Sequence, residues 1–90
     1  MIKFTDHAKD KILKELQKLG ITKQVVMKIL RNPDELLYDT SAYRFVALSW
    51  SHNVAVIYEK AADNLVVITV IYSSELKHVV QRRKRIGRWI

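Results

Sequence analysis

The chain has no cysteine, a single proline, two glycines and, across its last fourteen residues, no acid. Each shortage excludes something. Without cysteine there is no disulfide framework and no thiolate metal centre, and a reducing, cytoplasmic home is the expectation. So little Gly and Pro argues against a disordered chain. Long hydrophobic runs are missing too. The longest, Leu65 to Tyr72, is far short of a bilayer span, and the opening Met-Ile-Lys-Phe-Thr-Asp-His lacks the apolar centre of a signal peptide, so no membrane is expected. Histidines are few (His7, His52 and His78) and far apart, so no metal or cofactor is implied.

What is present suits one small globular domain over residues 1–90. An apolar fraction of 49% is enough for a core. A chain of this size buries only about 60–65% of the surface its unfolded form exposes, which leaves little spare stability. Charge is unevenly placed. Residues 1–76 hold ten Lys/Arg against nine Asp/Glu, a net +1, whereas residues 77–90 hold Lys77, Arg82, Arg83, Lys84, Arg85 and Arg88, a net +6. A nearly neutral body with a basic end is the footprint of a polyanion contact, RNA above all. The plainer reading is a solvated helix face. Four consecutive cations repel one another, however, and that favours a partner.

The pattern predicts an α+β fold: an N-terminal α-hairpin on a four-stranded antiparallel sheet, followed by a basic C-terminal helix or arm. Thr5 is an N-cap and Gly20 a stop. Between them Ala8, Ile12, Leu16 and Leu19 form an apolar stripe that Leu13 widens. Thr22 caps a second helix with Val25, Val26, Ile29 and Leu30 inward, ended by Arg31-Asn32-Pro33. Strands are expected at Glu35–Asp39, Tyr43–Trp50, Val54–Lys60 and Leu65–Tyr72, joined by hairpin-length links. The last is apolar on both faces. It is therefore central, with the hairpin on one side and either the C-terminal segment or a second subunit on the other. A tail helix from about Ser74 to Lys84 lays Leu76, Val79, Val80 and Arg83 on the sheet and turns Lys77, Gln81, Arg82 and Arg85 outward. Gly87 ends it, and Trp89-Ile90 is positioned to tuck back as an anchor.

No phosphate-binding glycine loop, dinucleotide turn or Ser/His/Asp motif is present. What remains are groups able to cleave RNA without a metal. A 2′-hydroxyl attacks its own phosphate once its proton is taken, the phosphorane charge is stabilised and the leaving oxygen is protonated. Arg suits the second task, since its planar fork meets two phosphate oxygens and keeps its charge. The catalytic candidates are Arg44, Tyr72, His78, Arg82 and Arg83. Lys60, Lys77, Lys84, Arg85 and Arg88 are binding candidates, with Trp50 as a base-stacking platform. Each has a structural alternative. Arg44 can pair with Asp39 or Glu59 across the sheet, Lys60 can be a solvated strand end, and Tyr72 and Trp50 can be core.

Phe4-Thr5-Asp6-His7-Ala8, then Gly20-Ile21-Thr22, then Val26, Leu30 and Asn32-Pro33-Asp34, resemble the N-terminal half of a widespread small-domain family. Val67 to Tyr72 and the Arg-Lys-Arg before Gly87-Arg88-Trp89 are similar to its C-terminal half. Through that family the chain resembles the RelE/ParE-like toxins, notably the BrnT branch. The resemblance implies a toxin-like mRNA endoribonuclease, free or on the ribosome, neutralised by an acidic antitoxin that covers the basic face. It also implies that basic and aromatic residues at strand ends and in the tail form the working surface. Some branches act on gyrase instead. A non-catalytic nucleic-acid-binding module needs only the tail. A protein-interaction domain, a homodimer included, would use the apolar fourth strand and Trp89-Ile90.

Overall fold

The computed structural model describes all ninety residues, Met1–Ile90. Three helices and a five-stranded mixed sheet make an α+β domain. In chain order these are β1 (Ile2–Phe4), α1 (Asp6–Lys11), α2 (Lys23–Arg31), β2 (Glu35–Asp39), β3 (Arg44–Ser49), β4 (Val54–Ala61), β5 (Asn64–Tyr72) and α3 (Leu76–Arg85). Sheet order is β1-β5-β4-β3-β2. The pairings from β2 to β5 are antiparallel, as the hairpin links require.

One edge corrects the expected four-stranded antiparallel sheet. Ile2, Lys3 and Phe4 pair in parallel with Leu65, Val66 and Val67. Three residues show no alternation to read, and their partner lies sixty residues away. The consequence is architectural. β1 and β2 occupy opposite edges, so the helical hairpin between them must cross one face of the sheet.

That hairpin forms where its caps place it. Thr5 Oγ1 accepts from Ala8 N–H at 3.1 Å and donates to Ile68 C=O, also at 3.1 Å, tying the helix start to β5. Ile68 is the extra residue of a bulge: Ile57 pairs with Thr69 but Tyr58 with Val67. After Lys11 the first helix widens into a π-helical stretch, Ile12–Leu16, and tightens into a 3-10 turn, Gln17–Leu19, that stops at Gly20 with φ 81°. The widening keeps the stripe straight. Steps of four drift about 40° each in an ordinary α-helix, and a wider turn rotates the side chains back. Ala8, Ile12 and Leu16 therefore all reach the sheet. Leu13 and Leu19, expected on that stripe, are exposed, and Ile21 is buried beyond the turn in place of Leu19. Thr22 caps α2 by accepting from Val25 N–H at 3.3 Å. Val26 and Ile29 complete the core on this side with Val54, Val56, Val67 and Val70.

On the other face Leu76 and Val80 of α3, with Trp89 beyond it, cover Val46, Leu48, Ala55 and Ile57. The C-terminal segment is thus the second cover of the sheet. The helix begins two residues later than expected, without a side-chain cap at Glu75. Gly87, at φ 76°, turns the chain back. Arg88 to Ile90 then add to the β2 edge: Tyr38 and Ile90 exchange backbone hydrogen bonds at 2.9 and 3.0 Å, and Thr40 N–H donates to Arg88 C=O at 2.8 Å. The basic tail ends in an isolated antiparallel bridge, Trp89 opposite Asp39, on the β2 edge. No helix is long and apolar enough to cross a membrane.

Candidate nucleic-acid interface

The tail's cations divide according to what each side chain meets. Arg83 is half-buried with its guanidinium carbon over the Trp89 indole, 4.6 Å from the ring centroid. Burial first, and the nearby Arg88 charge next, lower its guanidinium pKa from the ordinary value, while Asp39 opposes them. Lys84 Nζ is 2.6 Å from a Glu35 carboxylate oxygen, which ties α3 to the start of β2. Arg88 Nε lies 3.5 Å from Asp39. Lys77, Arg82 and Arg85 are exposed, and none takes part in an ion pair. Lys77 and Arg85 are eight residues apart, so this outward ridge is about 12 Å long at 1.5 Å per residue.

The inner set is organised by Asp39, a carboxylate that is only 4% exposed. One oxygen accepts from Ser41 N–H, Ser41 Oγ–H and Ala42 N–H, each at 2.9 Å, an arrangement that the short polar turn after β2 supplies. The other accepts from Trp89 Nε1–H at 3.0 Å. Burial alone would raise its pKa. The donors outweigh burial and hold it at about 2. Asp39 is therefore the latch of the C-terminus. The sequence offered it only as a partner for Arg44; the signal that identifies it is an Asp closing a strand just before Thr-Ser.

Arg44 pairs instead with Glu59 directly across β3 and β4, at 3.0 Å. It sits opposite Asp39 in the β2–β3 register, so it neighbours the latch. Lys60 lies near the same end of the sheet with its ammonium 4.7 Å from the Phe45 ring centroid, and Phe45 packs on the hairpin-side core. Tyr72 is at the other end. It pairs with Val54, six residues along β4 from Lys60, a separation of about 20 Å. Arg44 and Lys60 therefore mark one end of the sheet and Tyr72 the other.

At the Tyr72 end the first residues of α3 meet the β3–β4 turn. Trp50, Asn53, Ser74, Glu75, Lys77 and His78 line a cleft of ≈ 250 Å³. The His78 Nε2 is 3.5 Å from Glu75, with both side chains mostly exposed. Trp50 is half-buried against the α3-side core and lines this cleft. The structure thus joins Trp50, His78 and Lys77, with Tyr72 one residue from the Ser73 N–H that donates to Asn53 C=O at 3.1 Å.

A cluster the sequence reading missed lies on the hairpin side of the same turn. Lys28, Ile29, Arg31, Asn32, Asp34, Ser49, Ser51 and His52 line a cavity of ≈ 450 Å³. Ser49 and His52 are three residues apart across a turn, and no local spacing rule marks such a pair. Comparison with known proteins adds nothing to these assignments: no family model, curated protein or solved structure matches the chain.

Proposed function

We propose that the protein binds single-stranded RNA along the outward face of α3. The observation that carries this reading is the ridge of Lys77, Arg82 and Arg85. These charges are left exposed and unpaired while the neighbouring cations of the same segment are engaged in holding the fold. The ridge leads to Trp50, whose ring offers a face on which any base can stack. A basic surface of this kind suits an acidic antitoxin as its second partner, as the toxin resemblance implies.

The test is the salt dependence of binding. A site neutralising three or four phosphates of a single strand should show a log–log slope of about −2 to −3. Fluorescence anisotropy with a labelled oligoribonucleotide measures it. Replacing Lys77, Arg82 and Arg85 together by Ala should bring the slope close to zero while leaving the unfolding midpoint in place. Binding that ignores salt would overturn the reading.

Cleavage is a second reading, favoured by His78 standing beside Lys77 in the Trp50 cleft. There the imidazole takes the 2′-hydroxyl proton and returns it to the leaving oxygen, while Lys77 stabilises the phosphorane charge. Cleavage of mRNA in the presence of a chelator should disappear in His78→Ala with binding retained. Equal cleavage by that variant would remove His78 from the reaction.

A further inference from the structure

We propose that the cavity between the end of α2 and the β3–β4 turn is a phosphoryl-binding subsite, with Lys28, Arg31, Ser51 and His52 as its ligands and Ser49 as a positioning residue. The cavity, at ≈ 450 Å³, falls within the range of about 300–1,000 Å³ typical of small-ligand sites. Two observations point to an anion.

The first is charge. Lys28 and Arg31 both line the cavity, and neither makes an ion pair. Cations in the last turn of a helix do relieve its dipole, which accounts for their presence on α2. It does not account for hydroxyls and an imidazole facing them. The one carboxylate in the lining, Asp34, already accepts from Trp50 N–H at 2.8 Å, so it shapes the turn and leaves a net positive cavity.

The second is the ring. Ser49 is only 6% exposed, and its Oγ lies 2.8 Å from His52 Nδ1. Ser51 Oγ is 3.3 Å from the same nitrogen and 3.4 Å from Ser49 Oγ. In this proposal the buried Ser49 hydroxyl donates to Nδ1, which satisfies both groups. With Nδ1 accepting, the ring proton resides on Nε2, which becomes a donor. Two cations, a serine hydroxyl and an imidazole N–H form a donor-rich set matched to phosphate oxygens. The phosphoryl group is either free or part of an RNA strand that crosses the β3–β4 turn from the Trp50 cleft, because Trp50 to Asn53 separate the two cavities.

The experiment is a nuclear magnetic resonance titration of the full-length protein with inorganic phosphate, a nucleoside monophosphate and a short single-stranded RNA. Saturable shifts at Ser51, the His52 ring and the Arg31 side chain are expected, and Arg31→Gln should weaken binding of the responding ligand at least tenfold. A response to inorganic phosphate identifies a free-anion site, and a response to RNA alone identifies a strand subsite. Absence of shifts with all three, or unchanged binding in both Arg31→Gln and Lys28→Gln, would overturn the proposal. Ser49→Ala should convert the single His52 tautomer, seen in the ring nitrogen spectrum, into a mixture and weaken binding, with Ser49→Thr restoring both. Arg82→Ala/Arg85→Ala separates this proposal from the α3 reading: pocket shifts should survive in it even if RNA affinity falls.

Discussion

Under the helical hairpin the sheet is closed by a cluster of twelve buried residues without a charged member, from Ala8 and Ile12 to Val67 and Val70. Under α3 the cluster has eight, and its outer end is closed by a charged latch in which Asp39 holds Trp89 while Arg83 covers it. The difference shows how a highly basic segment is made to pack. A segment bearing six cations, five of them on α3, has few apolar positions to offer, so part of its charge is used to fasten it. Arg83, Lys84 and Arg88 face the body, and Lys77, Arg82 and Arg85 face solvent.

The largest effect should come from removing the indole at the latch. Trp89→Ala deletes a fully buried side chain and removes the indole donor from one Asp39 oxygen, at a cost of about 3–5 kcal/mol. At about 4–8 °C per kcal/mol, Tm should fall by about 12 °C or more. Hydrogen exchange should rise in α3 while the hairpin stays protected. A loss below about 1 kcal/mol in urea unfolding would mean that the tail is not latched.

Acid should separate the two faces more gently. The Asp39 pKa is about 2 in the folded chain against 3.8 unperturbed. Being depressed, it contributes stability that is present above about pH 4 and lost as pH falls through about 2, amounting to about 2 kcal/mol. In Asp39→Asn that part of the pH dependence should vanish. In Leu16→Ala, whose cavity lies in the uncharged hairpin core, the pH profile should run parallel to the unmodified protein at lower stability. Matching acid profiles in the unmodified protein and Asp39→Asn would break the comparison.

The smallest effect is the most discriminating. Arg83→Ala should cost about 1 kcal/mol through the lost contact with Trp89 and leave the RNA salt slope nearly unchanged. Arg82→Ala should change stability by less than about 0.5 kcal/mol and reduce the slope by about 0.7. If the two neighbours behave alike in both measurements, the division of the tail into inner and outer charges is wrong.

Much of the fold was legible because the information is local. Thr5, Gly20 and Thr22 announce the hairpin within a turn of themselves, and β-branched runs between short polar links announce β2 to β5. β1 was not, because a three-residue strand is defined by its partner. The candidate site was legible as a list of residues and not as a place. Arg44, Lys60 and Tyr72 all sit near strand ends, but which end follows from strand direction and register. Ser49 and His52 each look like turn residues until β3 and β4 pair and set one hydroxyl against one ring nitrogen.

The amino-acid sequence by itself determined that charge is concentrated in residues 77–90, and that the segment has an apolar edge able to dock. Composition and periodicity are properties of the chain alone. Only the tertiary structure decided which cations remain available. That choice depends on where Asp39, Glu35 and Trp89 arrive in space, and short-range interactions act only between groups that the fold has already brought together.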